Sequence, residues 1–287
     1  MMEKIVEKKI KLIALDLDGT FLDEEKRISE ENSRAVREAI KNGIVLAVST
    51  GRAFGSIPLK ELEELGISYA ITANGAMIHK LPEQECLYSD GMDSEFACEI
   101  INELQDLDVQ VDAFVEGRCY GEKRFYDRID QMDLSDVMKN YMRNSRTFVD
   151  SETNFIRENN AKVQKLTLNF FPDQNGTCRS YDVVYERFVN DPRINIVTGG
   201  YNNLELNNWG VTKGNSLRFL SEKLGIPLEN TMACGDTQND LDMIRTAGIG
   251  VAMGNATDDV KQAADFITRS NEEDGVAYAI RTLALQR

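Results

Sequence analysis

Short apolar runs alternate with amphipathic stretches along the first part of the chain. The apolar runs Ile10–Leu15, Ile44–Val48 and Tyr69–Thr72 predict buried strands. The stretch after Ser29 places apolar residues at helical spacing, and the stretch after Pro58 ends in glycine, so both predict helices. This order of strands and helices predicts right-handed βαβ units and therefore a parallel sheet.

The pattern changes at about Glu85. From there to Leu206, strands, helices and hairpins follow one another without strict βα alternation, which predicts a separate α+β domain. The predicted elements are a strand at Cys86–Ser89, a helix at Ser94–Leu107, a hairpin at Val109–Gly121, a helix at Phe125–Arg143, a strand at Val163–Phe170, a helix at Tyr181–Val189 and a hairpin at Ile194–Leu206.

The alternation of strands and helices returns at Asn207 and continues to the end of the chain. A helix is predicted at Lys213–Leu224 and a strand at Thr231–Cys234, followed by further helices and strands. The predicted fold class is therefore α/β. Residues 1–84 and 207–287 form a parallel-sheet core, and residues 85–206 form an inserted α+β domain.

Composition and charge narrow the classes of function. The chain has 287 residues, of which 42% are hydrophobic, enough to bury a sizeable core. With 33 basic and 48 acidic side chains, the formal net charge is 33 − 48 = −15. An acidic surface argues against nucleic acid and anionic membranes as partners, because both require a basic footprint. Any affinity for phosphate must come from local groups.

Cysteine usage and the chain's apolar runs predict a cytoplasmic protein. The five cysteines are scattered without a CxxC pair, which indicates neither a metal cluster nor a disulfide framework. The first residues carry charges but no apolar segment typical of a secretory signal. No uninterrupted apolar run approaches the roughly 20 residues needed to span a bilayer.

Two acids follow the first predicted strand, in the stretch Asp16-Leu17-Asp18-Gly19-Thr20. Strand alternation places Asp16 and Asp18 on the same side, where two carboxylates repel unless a cation lies between them. Oxygen ligands of this kind suit Mg²⁺, and one aspartate would remain available as a nucleophile. A plain turn is an equal alternative for a bare DxDG stretch. A calcium EF-hand is excluded, because Gly19 comes too early and Arg27 occupies the twelfth position.

Polar groups of complementary chemistry also follow other predicted strands or begin a helix. Each of these groups also has an ordinary structural explanation, as a helix cap, a turn or a solvated lysine. Their joint occurrence favours one site, since ligands of open parallel sheets bind beyond the carboxyl ends of the strands. These groups are Ser49-Thr50-Gly51, Lys213 at a helix start, and Asp236 with Asn239 and Asp240.

Two other kinds of site are disfavoured. The glycines between Gly248 and Gly254 have the spacing GxGxxxG instead of GxGxxG, and the segment between them is a predicted strand, so a dinucleotide site is not supported. His79 is the single histidine, so a Ser-His-Asp triad or a histidine-rich zinc site would depend on it alone.

The polar segments together resemble the four motifs of the haloacid dehalogenase (HAD) superfamily. Further stretches resemble its Cof-type subfamily IIB, which implies a Rossmann-like core with an inserted C2B-type cap. The stretches that carry the resemblance are Asp16-Leu17-Asp18-Gly19-Thr20, Thr50 in Ser49-Thr50-Gly51-Arg52, Lys213, Gly235-Asp236-x-x-Asn239-Asp240, Asn74-Gly75-Ala76, the run Gly250–Asn255, Ser270-Asn271 and Asp274-Gly275-Val276.

The resemblance implies roles for the two acids of the first motif. Asp16 is expected to attack phosphorus and form an aspartyl phosphate, while Asp18 protonates the leaving group and then deprotonates water. Mg²⁺ is expected to bind the carboxylates of Asp16 and Asp236 and the backbone carbonyl of Asp18.

The resemblance also implies the groups that hold the phosphoryl oxygens. Asp240 is expected to orient Lys213 or the water molecules of the metal. The cap is expected to close over the site and contact the substrate, with Asn202, Asn203 and Glu205 as candidates, although a plain turn is favoured for the asparagines. The expected phosphate-binding residues are Leu17, Thr50, the N–H of Gly51, Lys213 and Asn239.

The implied function is a Mg²⁺-dependent phosphatase that hydrolyses small phosphomonoesters, either sugar phosphates or phosphorylated cofactors. Two alternatives stay open on the same scaffold: a phosphotransferase or phosphomutase, and a non-catalytic protein that senses phosphate. The expected partner is a small phosphorylated metabolite, and the sequence leaves the oligomeric state open.

Overall fold

Two β-sheets organise the chain. The computed structural model describes residues 9–132, 134–173, 175–198 and 203–286. The chain divides into two units. The first unit comprises the described residues of 9–51, 58–87 and 212–286, and the second comprises those of 52–57 and 88–211.

The helices and strands have the following bounds. The described strands are β1 (Leu12–Leu15), β2 (Val45–Ser49), β3 (Tyr69–Thr72), β4 (Met77–Lys80), β5 (Glu85–Ser89), β6 (Val109–Val115), β7 (Arg118–Glu122), β8 (Arg146–Val149), β9 (Val163–Phe170), β10 (Ile194–Val197), β11 (Asn203–Asn208), β12 (Thr231–Gly235), β13 (Ile249–Ala252) and β14 (Phe266–Ile267). The described α-helices are α1 (Glu30–Lys41), α2 (Leu59–Leu65), α3 (Ser94–Glu103), α4 (Asp136–Ser145), α5 (Glu152–Glu158), α6 (Arg179–Phe188), α7 (Lys213–Lys223), α8 (Leu241–Thr246), α9 (Asp258–Ala263) and α10 (Gly275–Ala279).

The first sheet has the strand order β14-β13-β12-β1-β2-β3-β4-β5 among the described residues. β1 is parallel to both of its neighbours, β12 and β2, and all four of its side chains are buried. A strand covered on both faces requires a continuous apolar run, which is the pattern that predicted it. β4 pairs antiparallel to β3 and was not predicted. The α/β fold with a parallel-sheet core is confirmed.

Local signals for the first helices are also confirmed. Ser29 caps α1 by accepting a hydrogen bond from the Asn32 N–H, and the buried stripe of this helix includes Ala35 and Val36. Gly66 ends α2 with φ of +84°, a left-handed conformation that glycine adopts without strain.

The sheet of the second unit has the order β10-β11-β9-β6-β7-β8. Its pairs are antiparallel except for β7 with β8. One face packs on α3, α5 and α6 in a core that includes Val111, Leu166 and Leu206. This strand-and-helix mixture confirms the predicted α+β character.

The opposite face of this sheet is polar, and we call it the polar face. Strand register places its residues in rows across β6, β9 and β11. Their side chains are buried despite their polarity, except that of Asn169, which is half-buried. The rows are Gln110 with Asn169 and Asn203, Asp112 with Thr167 and Glu205, and Lys165 beside Phe114.

The prediction of one helix over Phe125–Arg143 is wrong. The chain instead forms 3₁₀ turns at Lys123–Phe125 and Asp127–Gln131, and α4 begins only after Ser135, whose side chain accepts a hydrogen bond from the Met138 N–H. This cap gives α4 its own N-terminus.

One other helix prediction needs correction, and two elements lack a prediction. The helix predicted over Ser94–Leu107 ends at Glu103, because the chain tightens into a turn in which the Leu104 N–H donates to Ile101 O. β8 and α5 were not predicted. The Arg146 side chain in β8 pairs with the buried Asp112. Because this strand begins with a charged residue, it does not form the apolar run by which strands are predicted.

Candidate active site

The segment after β1 is held by backbone bonds and buried apolar side chains. The Asp16 N–H extends the pairing with β12 by donating to Cys234 O at 3.0 Å. The chain then turns, with the Leu22 N–H donating to Leu17 O at 2.8 Å. The side chains of Leu17, Phe21 and Leu22 are buried. The apolar residues of the motif therefore anchor the turn that carries its two acids.

Lys213 joins two acids that lie far from it in sequence. Its buried ammonium lies 2.6 Å from Asp16 Oδ1 and 2.6 Å from Asp240 Oδ1. The residue begins α7, and the side chain of Thr212 caps that helix by accepting a hydrogen bond from the Asn215 N–H. A cation at a helix N-terminus opposes the helix dipole, and the two carboxylates offset this cost.

Asp240 holds the loop that follows β12. Its second carboxylate oxygen accepts hydrogen bonds from the N–H groups of Asp236 and Thr237, at 3.0 and 3.1 Å. Asp236 in turn accepts a hydrogen bond from the Thr20 hydroxyl at 2.8 Å. Asp240 thus orients both Lys213 and the loop of Asp236.

Buried carboxylates crowd this cluster. Burial raises the pKa of Asp16 well above its usual range, and the charges of Asp240 and Asp236 add to this against the opposing effect of Lys213. Burial and the Asp240 charge raise the pKa of Asp236 to about 7. Burial alone would lower the pKa of Lys213, but the Asp16 and Asp240 carboxylates raise it.

Asp18 lies in a different environment. Its side chain is 27% exposed, and Lys26 Nζ lies 2.7 Å from its Oδ1. Lys26 has φ of +63° in a turn closed by the Asp23 N–H, which donates to Arg27 O at 2.9 Å. The two acids of the motif are therefore distinct: one is buried beside an ammonium, and the other is partly exposed beside a second ammonium.

Thr50 and Asn239 are linked through Asn74. The Asn74 N–H donates to Thr50 O at 3.1 Å, and Asn239 Nδ2 donates to Asn74 Oδ1 at 3.2 Å. Asn74 is buried with φ of +59°, a conformation that asparagine tolerates. Gly51 follows Thr50 directly.

The structure joins four of the nine predicted site residues by direct contacts and adds three residues. Asp16, Lys213, Asp240 and Asp236 form one cluster. The Leu17 side chain is fully buried, so only its backbone is left for a phosphate contact. Thr20, Lys26 and Asn74 were not predicted as site residues, although Thr20 and Asn74 lie in stretches that carried the resemblance.

The acidic cluster fits a divalent cation. Carboxylate oxygens of Asp16, Asp236 and Asp240 lie within 4.8 Å of one another. Both Asp240 oxygens already accept hydrogen bonds. Asp16 and Asp236 each have one oxygen without a hydrogen-bond donor among the described residues. Such all-oxygen sets are the ligands that Mg²⁺ prefers, and a cation would relieve the repulsion that raises their pKa values.

A parallel sheet whose strand ends gather carboxylates around one buried ammonium has a preorganised charged site where open α/β sheets bind their ligands. The chain matches the sequence model of haloacid dehalogenase-like hydrolases over residues 13–280. Phosphatase YwpJ of Bacillus subtilis is 33% identical over 293 residues, with 96% of this chain and 100% of the relative covered. The 5-amino-6-(5-phospho-D-ribitylamino)uracil phosphatase YcsE of the same organism is 35% identical over 290 residues, with 95% of both covered.

Solved structures agree with these relatives. A haloacid dehalogenase-like hydrolase from B. subtilis has a TM-score of 0.85 at 31% identity, with 96% of this chain and 100% of that chain covered. A sugar phosphatase of HAD subclass IIB has a TM-score of 0.76 at 26% identity, with 95% and 98% covered. The chain belongs to the haloacid dehalogenase-like hydrolases. The Cof-type resemblance is confirmed, and so is the expectation of an enzyme, a phosphoric monoester hydrolase.

Within the part of the chain that the structure describes, no helix combines the length and the apolar composition needed to cross a bilayer. The cytoplasmic location stays a prediction.

Of the cap residues named from sequence, Asn203 and Glu205 lie on the polar face, where Glu205 pairs with Lys165 at 2.6 Å. Asn202 lies outside the described residues.

Proposed function

We propose that the protein is a Mg²⁺-dependent phosphatase that hydrolyses small phosphomonoesters through a phosphorylated Asp16. The observation that carries this proposal is the contact of the buried Asp16 carboxylate with the Lys213 ammonium, at 2.6 Å. Lys213 fixes one oxygen of Asp16, and the other has no hydrogen-bond donor among the described residues. A fixed, poorly solvated carboxylate suits a nucleophile.

The two acids divide the reaction. One Asp16 oxygen attacks phosphorus and forms an O–P bond, while the bond between phosphorus and the leaving oxygen breaks. Asp18 donates a proton to that leaving oxygen. In the second half, a water molecule loses a proton to Asp18 and attacks the phosphorus of the aspartyl phosphate. Inorganic phosphate leaves, and the Asp16 carboxylate is restored.

The remaining site residues hold the phosphoryl oxygens. Lys213 supplies a positive charge, and the Thr50 hydroxyl and Asn239 amide supply hydrogen-bond donors. The N–H of Gly51 and the backbone of Leu17 complete this set. Asn74 supports it by fixing the Asn239 amide. These groups are in place before the reaction, so they stabilise the developing charge without reorganising.

Three groups would hold Mg²⁺: the carboxylates of Asp16 and Asp236 and the backbone carbonyl of Asp18. When bound, the cation neutralises negative charge on the carboxylates and on the phosphoryl group. Asp240 orients the site instead of acting as a ligand, because Lys213 and two backbone N–H groups already occupy its oxygens.

The polar face of the second unit is proposed to determine which organic groups are accepted in the substrate. Gln110 Oε1 and Thr167 Oγ1 are buried there without a hydrogen-bond partner among the described residues. Unpartnered buried acceptors favour a ligand that carries hydroxyl or N–H donors. Two similar proteins bear names that fit: one is a phosphatase of a phosphorylated ribitylaminouracil, and the other is a sugar phosphatase. Sugar phosphates or phosphorylated cofactors are therefore the proposed substrates.

Chelation of metal is expected to abolish hydrolysis of p-nitrophenyl phosphate, and added Mg²⁺ is expected to restore it. The physical reason is that Asp16 and Asp236 repel each other and the substrate phosphate unless a cation is bound. The measurement is release of nitrophenol with EDTA and then with excess Mg²⁺. Analysis of products with an added sugar acceptor separates hydrolysis from phosphotransfer. Full activity without metal would refute the proposed ligands.

The Mg²⁺ requirement is also expected to depend on pH. Without a cation the pKa of Asp236 is about 7, so protons compete with Mg²⁺ below that value. The Mg²⁺ concentration for half-maximal activity should rise roughly tenfold for each pH unit below 7. A requirement that stays constant between mildly acidic and neutral pH would contradict this assignment.

Thr167→Val is expected to weaken recognition of hydroxyl-rich substrates. Valine keeps the shape of threonine but lacks the hydroxyl, so loss of one hydrogen bond should raise KM for a sugar phosphate by about 2- to 10-fold. The kcat/KM for p-nitrophenyl phosphate, whose organic part carries no hydroxyl, should stay unchanged. Steady-state kinetics on both substrates give the comparison.

The matched control is Thr147→Val, because Thr147 lies on β8 of the same sheet but is exposed. This variant should leave the kinetics for both substrates unchanged. If Thr167→Val lowers activity on both substrates equally, the hydroxyl does not select the organic part of the substrate.

A further inference from the structure

A loop after β13 is bonded at both of its ends to the chain at Gly235 and Asp236. Its first residue donates a backbone N–H to Gly235 O, and its last, Thr257, donates a backbone N–H to Asp236 O, both at 3.0 Å. Between them, Gly254 lies so close to the chain at Ser270 that a Cβ would come within 2.7 Å of the Ser270 nitrogen. The loop Met253–Thr257 is therefore fixed against the segment that bears Asp236.

Asn255 extends from this loop to the nucleophile motif. Its Nδ2 donates to Gly19 O at 2.8 Å, and its Oδ1 accepts from the Asn271 N–H at 3.0 Å. Gly19 has φ of +78°, and a Cβ there would lie 2.9 Å from the Asp236 carboxylate carbon. The asparagine amide therefore holds the peptide at a point where the motif passes too close to Asp236 for a Cβ to fit.

Asn271 holds the other end of the same turn. Its Nδ2 donates to Leu22 O at 3.1 Å, so Asn255 and Asn271 bind the carbonyls at Gly19 and Leu22. Thr20 lies between these carbonyls, and its hydroxyl donates to Asp236 at 2.8 Å. The two asparagines thus bracket the residue that orients a proposed metal ligand.

We propose that Asn255 and Asn271 form an asparagine clamp that positions Asp236 and the Asp18 backbone for Mg²⁺. This inference rests on the proposed function. The clamp acts through Thr20 and the Gly19 peptide and touches neither substrate nor metal, so both asparagines are positioning residues. It also gives a physical role to the Gly250–Asn255 and Ser270-Asn271 stretches of the sequence.

The exposure of Asn255 makes the clamp testable. Its side chain is exposed, so truncation leaves no cavity in the core and no buried group without a partner. A loss of Mg²⁺ affinity in such a variant reports on the geometry of the ligands and not on the stability of the fold.

The test is Asn255→Ala in the full chain, measured first by calorimetric titration of Mg²⁺ without substrate. The Mg²⁺ dissociation constant should rise about tenfold, the lower end of effects seen when groups that orient metal ligands are removed. The Mg²⁺-dependent rise in melting temperature should require correspondingly more Mg²⁺. The kcat for p-nitrophenyl phosphate should fall about tenfold at fixed, subsaturating Mg²⁺ and recover largely when Mg²⁺ is raised.

Two further variants separate positioning from structure. Asn255→Asp keeps the acceptor for the Asn271 N–H but replaces the donor to Gly19 O with a carboxylate, so it should lose Mg²⁺ affinity at least as strongly as the alanine variant. The matched control is Asn230→Ala. Asn230 is a partly exposed asparagine of the first unit, and its Nδ2 donates to a backbone carbonyl, Lys9 O, at 2.9 Å. This control should keep wild-type Mg²⁺ binding and kcat.

Several outcomes would overturn the clamp. Unchanged Mg²⁺ binding in Asn255→Ala would do so, as would wild-type Mg²⁺ affinity in Asn255→Asp or an equal loss in Asn230→Ala. In each case wild-type protein that binds Mg²⁺ and hydrolyses p-nitrophenyl phosphate leaves the proposed function intact. Wild-type protein that does neither overturns the proposed function, and the clamp with it.

Discussion

Asp16→Asn is expected to reduce phosphatase turnover by on the order of 10⁴-fold or more, the scale seen when a catalytic nucleophile is lost. An amide oxygen is a poor nucleophile and cannot form a stable phosphoryl ester at this position. The measurement is steady-state hydrolysis of p-nitrophenyl phosphate with saturating Mg²⁺. In parallel, acid-quenched wild-type protein should carry labelled phosphate from a labelled substrate, and the variant should carry none.

The fold should survive this substitution. Burial and neighbouring acids raise the pKa of Asp16, so its charged form is disfavoured in the folded protein despite Lys213. A carboxyl whose pKa is raised on folding lowers stability as pH rises above its unfolded value of 3.8. At neutral pH the metal-free asparagine variant should therefore melt at or above the wild-type temperature.

The control for this experiment is Asp259→Asn. It makes the same chemical change at an exposed position on α9, and turnover should be unaffected. Retention of appreciable Mg²⁺-dependent hydrolysis by Asp16→Asn would refute the nucleophile assignment, whatever its stability.

Lys213→Met is expected to have the largest effect on stability. The ammonium is fully buried between two carboxylates, and its removal leaves buried negative charge without a partner. Breaking a buried ion pair in this way costs about 3–5 kcal/mol. Urea unfolding of metal-free protein at neutral pH gives the free energy of unfolding, and turnover should also fall because Lys213 no longer binds the phosphoryl group.

The pH dependence of this loss has a definite sign. Lowering the pH protonates Asp16 and Asp236, whose pKa values are raised, so the penalty for the missing cation shrinks in acid. The difference between Lys213→Met and wild type should therefore narrow as pH falls from neutral. If the difference in unfolding free energy between the two proteins widened in acid, the raised pKa values of Asp16 and Asp236 would be contradicted.

The double variant Asp16→Asn/Lys213→Met is the control. This variant removes the Asp16 carboxylate, which Lys213→Met leaves unpaired, together with the Lys213 ammonium. Its loss of stability should therefore be smaller than that of Lys213→Met alone. Additive losses would mean that the two side chains do not interact energetically.

Much of the first unit could be predicted from sequence because its signals are local. The strand of Leu12–Leu15 is a continuous apolar run, and Ser29 caps a helix through a bond to Asn32, three residues away. The wrong helix prediction near Phe125 has the opposite origin. The apolar residues of this segment include Phe125, Ile129 and Met142, which pack in one small cluster. They come from several short turns and one helix, so their spacing does not follow the period of a single helix.

The amino-acid sequence by itself determined the α/β fold, the family motifs and the set of acids, amides and lysine that form the candidate site. Each of these is carried by residue type and by short spacing along the chain. The tertiary structure alone decided how these groups interact. Lys213 reaches Asp16 across 197 positions, Thr20 reaches Asp236 across 216, and Asn255 reaches Gly19 across 236. Burial also differs between Asp16 and Asp18, two residues apart, because packing from distant strands and not the local pattern determines which carboxylate loses its water.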